Sequence, residues 1–170
     1  GYSLANSVIE AFQAGDFKQS PKPSIAIHST EIELGIENFM LSLGTLLGVI
    51  DSDPKFSLMP PFIRYLSEVA FIQIGDASIT GIPGELYPEI AVGGIENPIG
   101  ADYVIAPQEV PHLRSQFSDK LNLMVNLAND SIGYIIPKSE WDEDAPWIYG
   151  EKEETYGEVV SLGPNTAPVI

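Results

Sequence analysis

Two oxygen-bearing side chains, those of Glu85 and Tyr134, lie just after predicted strands, where α/β folds often place functional groups. Glu85 follows a predicted strand and the pair Pro83-Gly84. A carboxylate at the carboxyl end of a strand, beside a glycine that permits close approach, is a common site residue in α/β folds. The alternative is a glutamate in the first turn of a helix, where the helix dipole favours it. Tyr134 follows Gly133 just past another predicted strand, and its alternative role is packing in or beside the core. The pattern alone leaves both alternatives open.

Other reaction classes lack their motifs in this sequence. There is no G-x-S-x-G motif for a serine hydrolase and no glycine-rich phosphate loop. Asp142, Asp144 and Glu153 match part of the spacing of a calcium-binding EF-hand. However, Pro146 and Trp147 occupy the positions that need a ligand and a turn glycine. We therefore interpret this acidic segment as a solvated surface.

The two histidines do not form a recognisable metal motif. His28 lies in an alternating apolar stretch, which favours a structural or surface role, and His112 follows Pro111 in a predicted loop. No H-x-H or H-E-x-x-H motif is present. These residues alone therefore cannot assemble a conventional histidine-rich zinc site.

Composition excludes several partners. The 170 residues carry a net charge of −16, so binding to phosphate backbones or anionic membrane surfaces is disfavoured. The absence of cysteine excludes disulfides and thiolate metal sites. No apolar run is long enough to span a membrane. We expect a single domain or a fragment of one over residues 1–170.

Periodicity predicts the elements that position these residues. A helix is expected over 3–14, and strands over 25–34, 67–74, 77–83 and within 120–130. The strands over 67–74 and within 120–130 are expected to be buried. A weaker helical pattern covers 35–50, a short helix is expected near 85–92, and loops cover 18–24, 51–61 and 96–111. From residue 138 the chain is expected to be irregular. Because strands and helices mix without strict alternation, we predict an α/β fold, a mixed-sheet sandwich.

Several of these residues resemble motifs of the neutral/alkaline ceramidase family. Pro83-Gly84-Glu85 matches a P-G-E that follows a strand in that family. The later segment, from Ala128-Asn129 to Gly133-Tyr134, resembles its A-N-x-x-x-G-Y-V motif. Further matches, in the same order along the chain, are Pro137, Glu140, Trp141, Tyr156-Gly157, Leu162-Gly163-Pro164 and the helix SLANSVIEAF. The resemblance covers the later part of the family's catalytic domain, so we expect a partial catalytic domain.

The resemblance implies a zinc-dependent amidohydrolase that cleaves an N-acyl, lipid-like amide. In that family two histidines, the glutamate of P-G-E and the tyrosine of G-Y hold the zinc, so Glu85 and Tyr134 match two metal ligands. The histidines lie upstream of the matched region. The upstream half of the same protein is therefore an expected partner, and the isolated chain is expected to be inactive. The resemblance also implies export, to the periplasm or the outside of the cell.

Apolar and aromatic residues near both matched ligands are candidates for contact with substrate: Leu86 and Tyr87 after Glu85, and Trp141 after Tyr134. The alternative is that they fill the core, as apolar residues near strand ends usually do. Leu86-Tyr87-Pro88-Glu89-Ile90 replaces a polar, basic run of the family. For the whole chain, the alternative to an enzyme is a non-catalytic binding or structural domain that keeps the scaffold.

Overall fold

The structure is a computed structural model, and the residues it describes are 1–15, 22–50, 53–117 and 121–170. The predicted loop over 18–24 therefore lies partly outside the described residues. The same holds for the first residues of the predicted 51–61 loop and 120–130 strand.

Strands and short helices alternate irregularly along the chain. The strands are β1 (Ile25–Gly35), β2 (Lys55–Phe56), β3 (Ile63–Ile74), β4 (Ala77–Gly81), β5 (Glu85–Leu86), β6 (Leu121–Val125) and β7 (Tyr134–Ile135). The α-helices are α1 (Tyr2–Ala14), α2 (Phe39–Leu46), α3 (Pro88–Val92), α4 (Tyr156–Val159) and α5 (Thr166–Val169). Within the described residues, no helix combines the length and the apolar composition needed to cross a bilayer.

The strands form two sheets. The larger sheet has the order β1-β3-β4-β6, and β2 pairs with the start of β3. β3 is antiparallel to β1, β2 and β4, whereas β4 and β6 are parallel. β5 and β7 form a separate two-stranded parallel sheet. The predicted α/β class with a mixed sheet is confirmed.

Element boundaries differ from the expectations in several places. β3 begins at Ile63, four residues before the expected strand, and the tail that was expected to be irregular contains α4 and α5. The helical pattern over 35–50 yields only α2, which begins after Asn38, whose side chain caps the amides of Met40 and Leu41. The predicted 51–61 loop contains β2. Glu85 lies in strand β5 and not in a helix, because α3 begins at Pro88, a residue suited to the first helical turn.

The core joins one end of the large sheet to the small sheet. Its buried members are aliphatic, and they come from β1, β3, β5, β7, α3, α5 and the connecting loops. They are Leu34, Ile36, Ile63, Ile82, Leu86, Ile90, Ile132, Ile135, Leu162 and Ala167. The two-stranded sheet is therefore fixed by burial, although an isolated pair of two-residue strands would not be stable.

One face of the large sheet is aliphatic and largely exposed. Register partners point to the same side of a sheet, and this side carries branched side chains on all four main strands. We call this surface the aliphatic face; its members are Ile25, Ile27, Ile72, Ile74, Ile79, Leu121, Leu123 and Val125. β6 was expected to be a buried strand, but Leu121, Leu123 and Val125 are each about half exposed. That expectation was wrong, because period-2 apolar residues do not show whether another layer covers them.

Candidate functional site

Glu85 and Tyr134 are register partners in the parallel pair of β5 and β7. The Glu85 amide donates to the Gly133 carbonyl at 2.9 Å, and the Tyr87 amide donates to the Ile135 carbonyl at 3.1 Å. Because paired residues on neighbouring strands project to the same face, the two side chains predicted as metal ligands lie side by side. The structure thus brings together two residues that are 49 positions apart in the sequence.

Two glycines allow this close approach. A Cβ atom on Gly84 would lie 2.5 Å from the Gly133 carbonyl oxygen and 2.8 Å from Ile132 Cγ1. Gly133 has a φ of 87°, in the region that favours glycine, and a Cβ there would collide with the Val160 carbonyl. Glycine at both positions therefore permits the strand pairing that sets Glu85 beside Tyr134.

Side chains alternate between the two faces of the sheet formed by β5 and β7, so Glu85 and Tyr134 lie on the face opposite to the core. Leu86 and Ile135 form the next register pair, and they are 8% and 0% exposed. Their burial turns the preceding pair, Glu85 and Tyr134, toward the opposite side. The aliphatic core thereby fixes the orientation of the two oxygen-bearing side chains.

Tyr134 keeps its proton in this arrangement. The hydrogen bond between the Tyr134 side chain and the Glu85 carboxylate raises the pKa of Tyr134 above 10.0, and the nearby negative charge of Glu85 and burial act in the same direction. At neutral pH Tyr134 is therefore a phenol that donates to a carboxylate.

Two further tyrosines flank the Tyr134 ring. The Tyr87 and Tyr156 rings each contact it edge to face, with centroids 6.1 Å and 6.0 Å away. Such contacts are favourable for aromatic pairs. They hold the Tyr134 ring between two neighbours and limit its movement.

A cavity of about 550 Å³ opens at this pair. Glu85, Tyr134, Asp130, Tyr65 and Tyr156 supply polar groups to its lining. Its apolar wall includes Ile36, Leu41, Ile50, Val160 and Leu162. The volume and the mixture of apolar wall and few polar groups are typical of small-molecule sites.

The sequence analysis missed Asp130 as a candidate site residue. Asp130 Oδ1 accepts hydrogen bonds from the Tyr65 hydroxyl at 2.9 Å and from the Ser131 amide at 2.8 Å. Its Oδ2 accepts from the Ser67 hydroxyl at 2.9 Å. Burial and this bond to Asp130 raise the pKa of Tyr65 to about 12. In the sequence, Asn129-Asp130 signalled only the end of a strand.

The residues predicted to contact substrate do not line this cavity. Leu86 is in the core, and Trp141 is 1% exposed. Both side chains therefore serve packing here, as in the alternative interpretation, and contact with a ligand would require them to leave the interior. Tyr87 is half-buried and lines a separate cavity of about 660 Å³ with Glu89, Glu140, Tyr149 and Glu158. Burial and the charge of Glu158 raise the pKa of Tyr87 to about 12.

Neither histidine lies at this cavity. His28 is exposed in β1, and His112 precedes a short 3₁₀ turn, with its ring close to Gly93. Across the described residues, no group of three or more histidine, cysteine, aspartate and glutamate side chains is arranged to hold a metal. The described part of the chain thus offers a carboxylate and a phenol here, without nitrogen ligands.

Comparisons of this chain with protein-family models, with curated proteins and with solved structures returned no match.

Proposed function

We propose that this chain is part of a zinc-dependent amidohydrolase similar to the neutral ceramidases, and that Glu85 and Tyr134 are two of its zinc ligands. The observation that supports this most is the register of β5 and β7, which pairs these two residues. They are the same two residues that the P-G-E and G-Y motifs single out in the sequence.

The donor chemistry fits part of a zinc site. Zinc accepts carboxylate oxygen as well as nitrogen ligands and is usually four-coordinate in proteins, with one position left open in catalytic sites. Two oxygens side by side can supply half of such a set. In the proposal, histidines from an upstream part of the same protein complete it. The 170 residues alone are then expected to bind zinc weakly and to lack amidase activity.

Each residue has a distinct task in this proposal. Glu85 contributes a negative charge that offsets part of the charge of the cation. Tyr134 must release the proton that it now shares with Glu85, so metal binding is coupled to proton release and weakens at lower pH. Zinc in such a site supplies Lewis acidity toward an amide carbonyl and toward water.

The substrate class follows from the wall of the cavity. Its aliphatic residues suit an acyl chain, whereas the acidic surface of the protein disfavours an anionic head group. We therefore propose a neutral or cationic N-acyl amide, lipid-like in its apolar part. Export of the protein is part of the same proposal and rests on the resemblance alone.

Zinc titration of the 170-residue chain tests the ligand assignment. Isothermal calorimetry should detect weak binding that Glu85→Gln and Tyr134→Phe each reduce by about tenfold or more. The matched control is Glu10→Gln, which removes the same charge from the exposed helix α1. Equal affinity in all four proteins would assign zinc to the acidic surface and contradict the proposal.

An activity assay distinguishes the proposed enzyme from the alternative, a non-catalytic binding or structural domain. That alternative is favoured because, within the described residues, no group of three or more histidine, cysteine, aspartate and glutamate side chains is arranged to hold a metal. The intact protein should be assayed on ceramides, N-acyl amino acids and short acyl amides. Preference for short polar amides would contradict the lipid part of the proposal, and zinc binding without any hydrolysis would favour the alternative.

A further inference from the structure

We infer that the Asp130 end of the cavity is a binding subsite for the ammonium group of an aliphatic primary amine. This subsite lies in the same cavity as the proposed zinc ligands, and in that respect the inference rests on the proposed function. It does not depend on zinc, because the amine contacts Asp130. Asp130 lines the same cavity of about 550 Å³ as Glu85 and Tyr134.

The hydrogen bonds at Asp130 hold its carboxylate in one orientation. Three donors contact it: the Tyr65 and Ser67 hydroxyls and the Ser131 amide, at 2.8–2.9 Å. All three are neutral, so they orient the carboxylate without cancelling its charge. A carboxylate has lone pairs for about four hydrogen bonds, which leaves an acceptor position for a ligand.

The loop that carries Asp130 is tied to the segment before Glu85. The Ala128 amide donates to the Ile82 carbonyl at 2.9 Å, and the Ile132 amide donates to the Pro83 carbonyl at 3.0 Å. These bonds flank Asp130 on both sides. Its position relative to Glu85 is therefore set by the backbone and does not depend on side chains alone.

The charges around the cavity select a cation. None of the described residues that line it is lysine, arginine or histidine, and no described ion pair involves Asp130. With Glu85 and Asp130 both acidic, an anionic ligand is repelled and an ammonium is attracted. An ammonium supplies only donors, and donors are what the free acceptor position of Asp130 requires.

The neighbouring wall selects an aliphatic chain. Leu41, Ile50 and Leu162 face the same space. Leu41 is fixed because Asn38 Oδ1 accepts from the Leu41 amide at 3.1 Å, while Asn38 Nδ2 donates to the Ser161 carbonyl at 3.2 Å. An aliphatic amine would place its chain on this wall and its ammonium at Asp130.

The test is a titration of the 170-residue chain with octylammonium chloride, below its micelle concentration, at pH 7 with EDTA present. Binding is followed by amide chemical shifts in two-dimensional NMR. Shifts should concentrate at Ser67, Ser131 and neighbouring amides. Octanoate, which has the same chain and the opposite charge, should bind at least about tenfold more weakly.

Matched variants test whether the charge of Asp130 is the one that binds octylammonium. Asp130→Asn should weaken octylammonium binding by about tenfold, whereas Glu10→Gln, with the same change in net charge, should leave it unchanged. Equal affinities of these two variants, or octanoate binding as tightly as octylammonium, would overturn the inference. If Asp130→Asn does not fold, nuclear Overhauser contacts between octylammonium and the Tyr65 ring of the unaltered chain decide; their absence overturns it.

Glu85→Gln separates this subsite from the proposed zinc ligands. The inference expects octylammonium binding to persist within about threefold in this variant, even though zinc binding is weakened by about tenfold or more. Octylammonium binding that depends on Glu85 and not on Asp130 would place the cation at the proposed metal site and overturn the assignment to Asp130. Loss of the zinc proposal alone leaves the amine result unaffected, because EDTA is present throughout.

Discussion

The small sheet and the aliphatic face of the large sheet are built from similar residues but differ in burial. Ile135 of β7 is wholly buried, whereas Ile27 of β1 is 67% exposed and Leu123 of β6 is 51% exposed. The core side of the four-residue sheet of β5 and β7 is thus more deeply buried than the aliphatic face, although the long strands bury Leu34 and Ile63 elsewhere. Burial of the neighbouring side chains, and not the length of a strand, determines where this chain can hold two side chains in a fixed geometry.

The largest effect is expected from removing packing beneath the candidate site. Ile135→Ala creates a cavity under the register pair and should lower the free energy of unfolding by roughly 2–5 kcal/mol. Urea denaturation followed by circular dichroism measures it. The conservative variant Ile135→Val should cost only about 0.5–1.5 kcal/mol. A loss below about 1 kcal/mol for Ile135→Ala would contradict the firm embedding of β7.

Much of the fold was predictable because it depends on local patterns. The hairpin of β3 and β4 follows from alternating apolar residues around the Gly75-Asp76 turn, and it is present with Ile74 paired to Ala77. Helix α1 follows from its apolar spacing and ends at Gly15, whose φ of 72° suits a left-handed cap. Both features need only neighbours in the sequence.

The candidate site was predictable only in part, because it depends on distant pairing. Glu85 and Tyr134 were singled out by strand ends, glycines and family motifs, yet their register follows from a parallel pairing that no local pattern specifies. Asp130 was missed because its partners Tyr65 and Ser67 lie more than 60 positions earlier in the chain. Burial of Trp141 was likewise not predictable, since packing depends on segments that are remote in sequence.

The second largest effect concerns pH, because the described residues include buried acids. Asp142 and Glu158 are 0% and 2% exposed, so the expected solvated surface of the acidic segment was wrong at Asp142. Burial, followed by the charge of Asp142, raises the pKa of Glu158 from 4.5 to about 7, although backbone hydrogen bonds oppose this shift. Between these values the folded chain binds a proton that the unfolded chain has released. Stability therefore falls as pH rises from about 4.5 to 7, and this group causes no further pH dependence above that range.

Thermal and urea unfolding at pH 5 and pH 7.5 measure this linkage. The unaltered chain should lose roughly 1–2 kcal/mol more over this interval than Glu158→Gln does, a value reduced from the full shift for solvent screening. The exposed control Glu10→Gln should behave like the unaltered chain. An identical pH dependence for Glu158→Gln and the unaltered chain would show that Glu158 is ionised in the fold at pH 5.

The smallest effect is expected on the aliphatic face, and it tests the comparison most directly. Ile27 and Leu123 lose little burial in the unfolded state because they are already exposed in the fold, so polar replacements remove little hydrophobic stabilisation. Ile27→Thr and Leu123→Thr should each change the free energy of unfolding by about 0.5 kcal/mol or less. Threonine is β-branched, as isoleucine is, and β-branched residues suit a strand, so neither replacement introduces a residue that disfavours this conformation. Urea denaturation at two protein concentrations measures both variants beside Ile135→Val. A loss above about 1.5 kcal/mol, equal to or larger than that of Ile135→Val, would mean that this face is packed in solution, and the contrast with β7 would then fail.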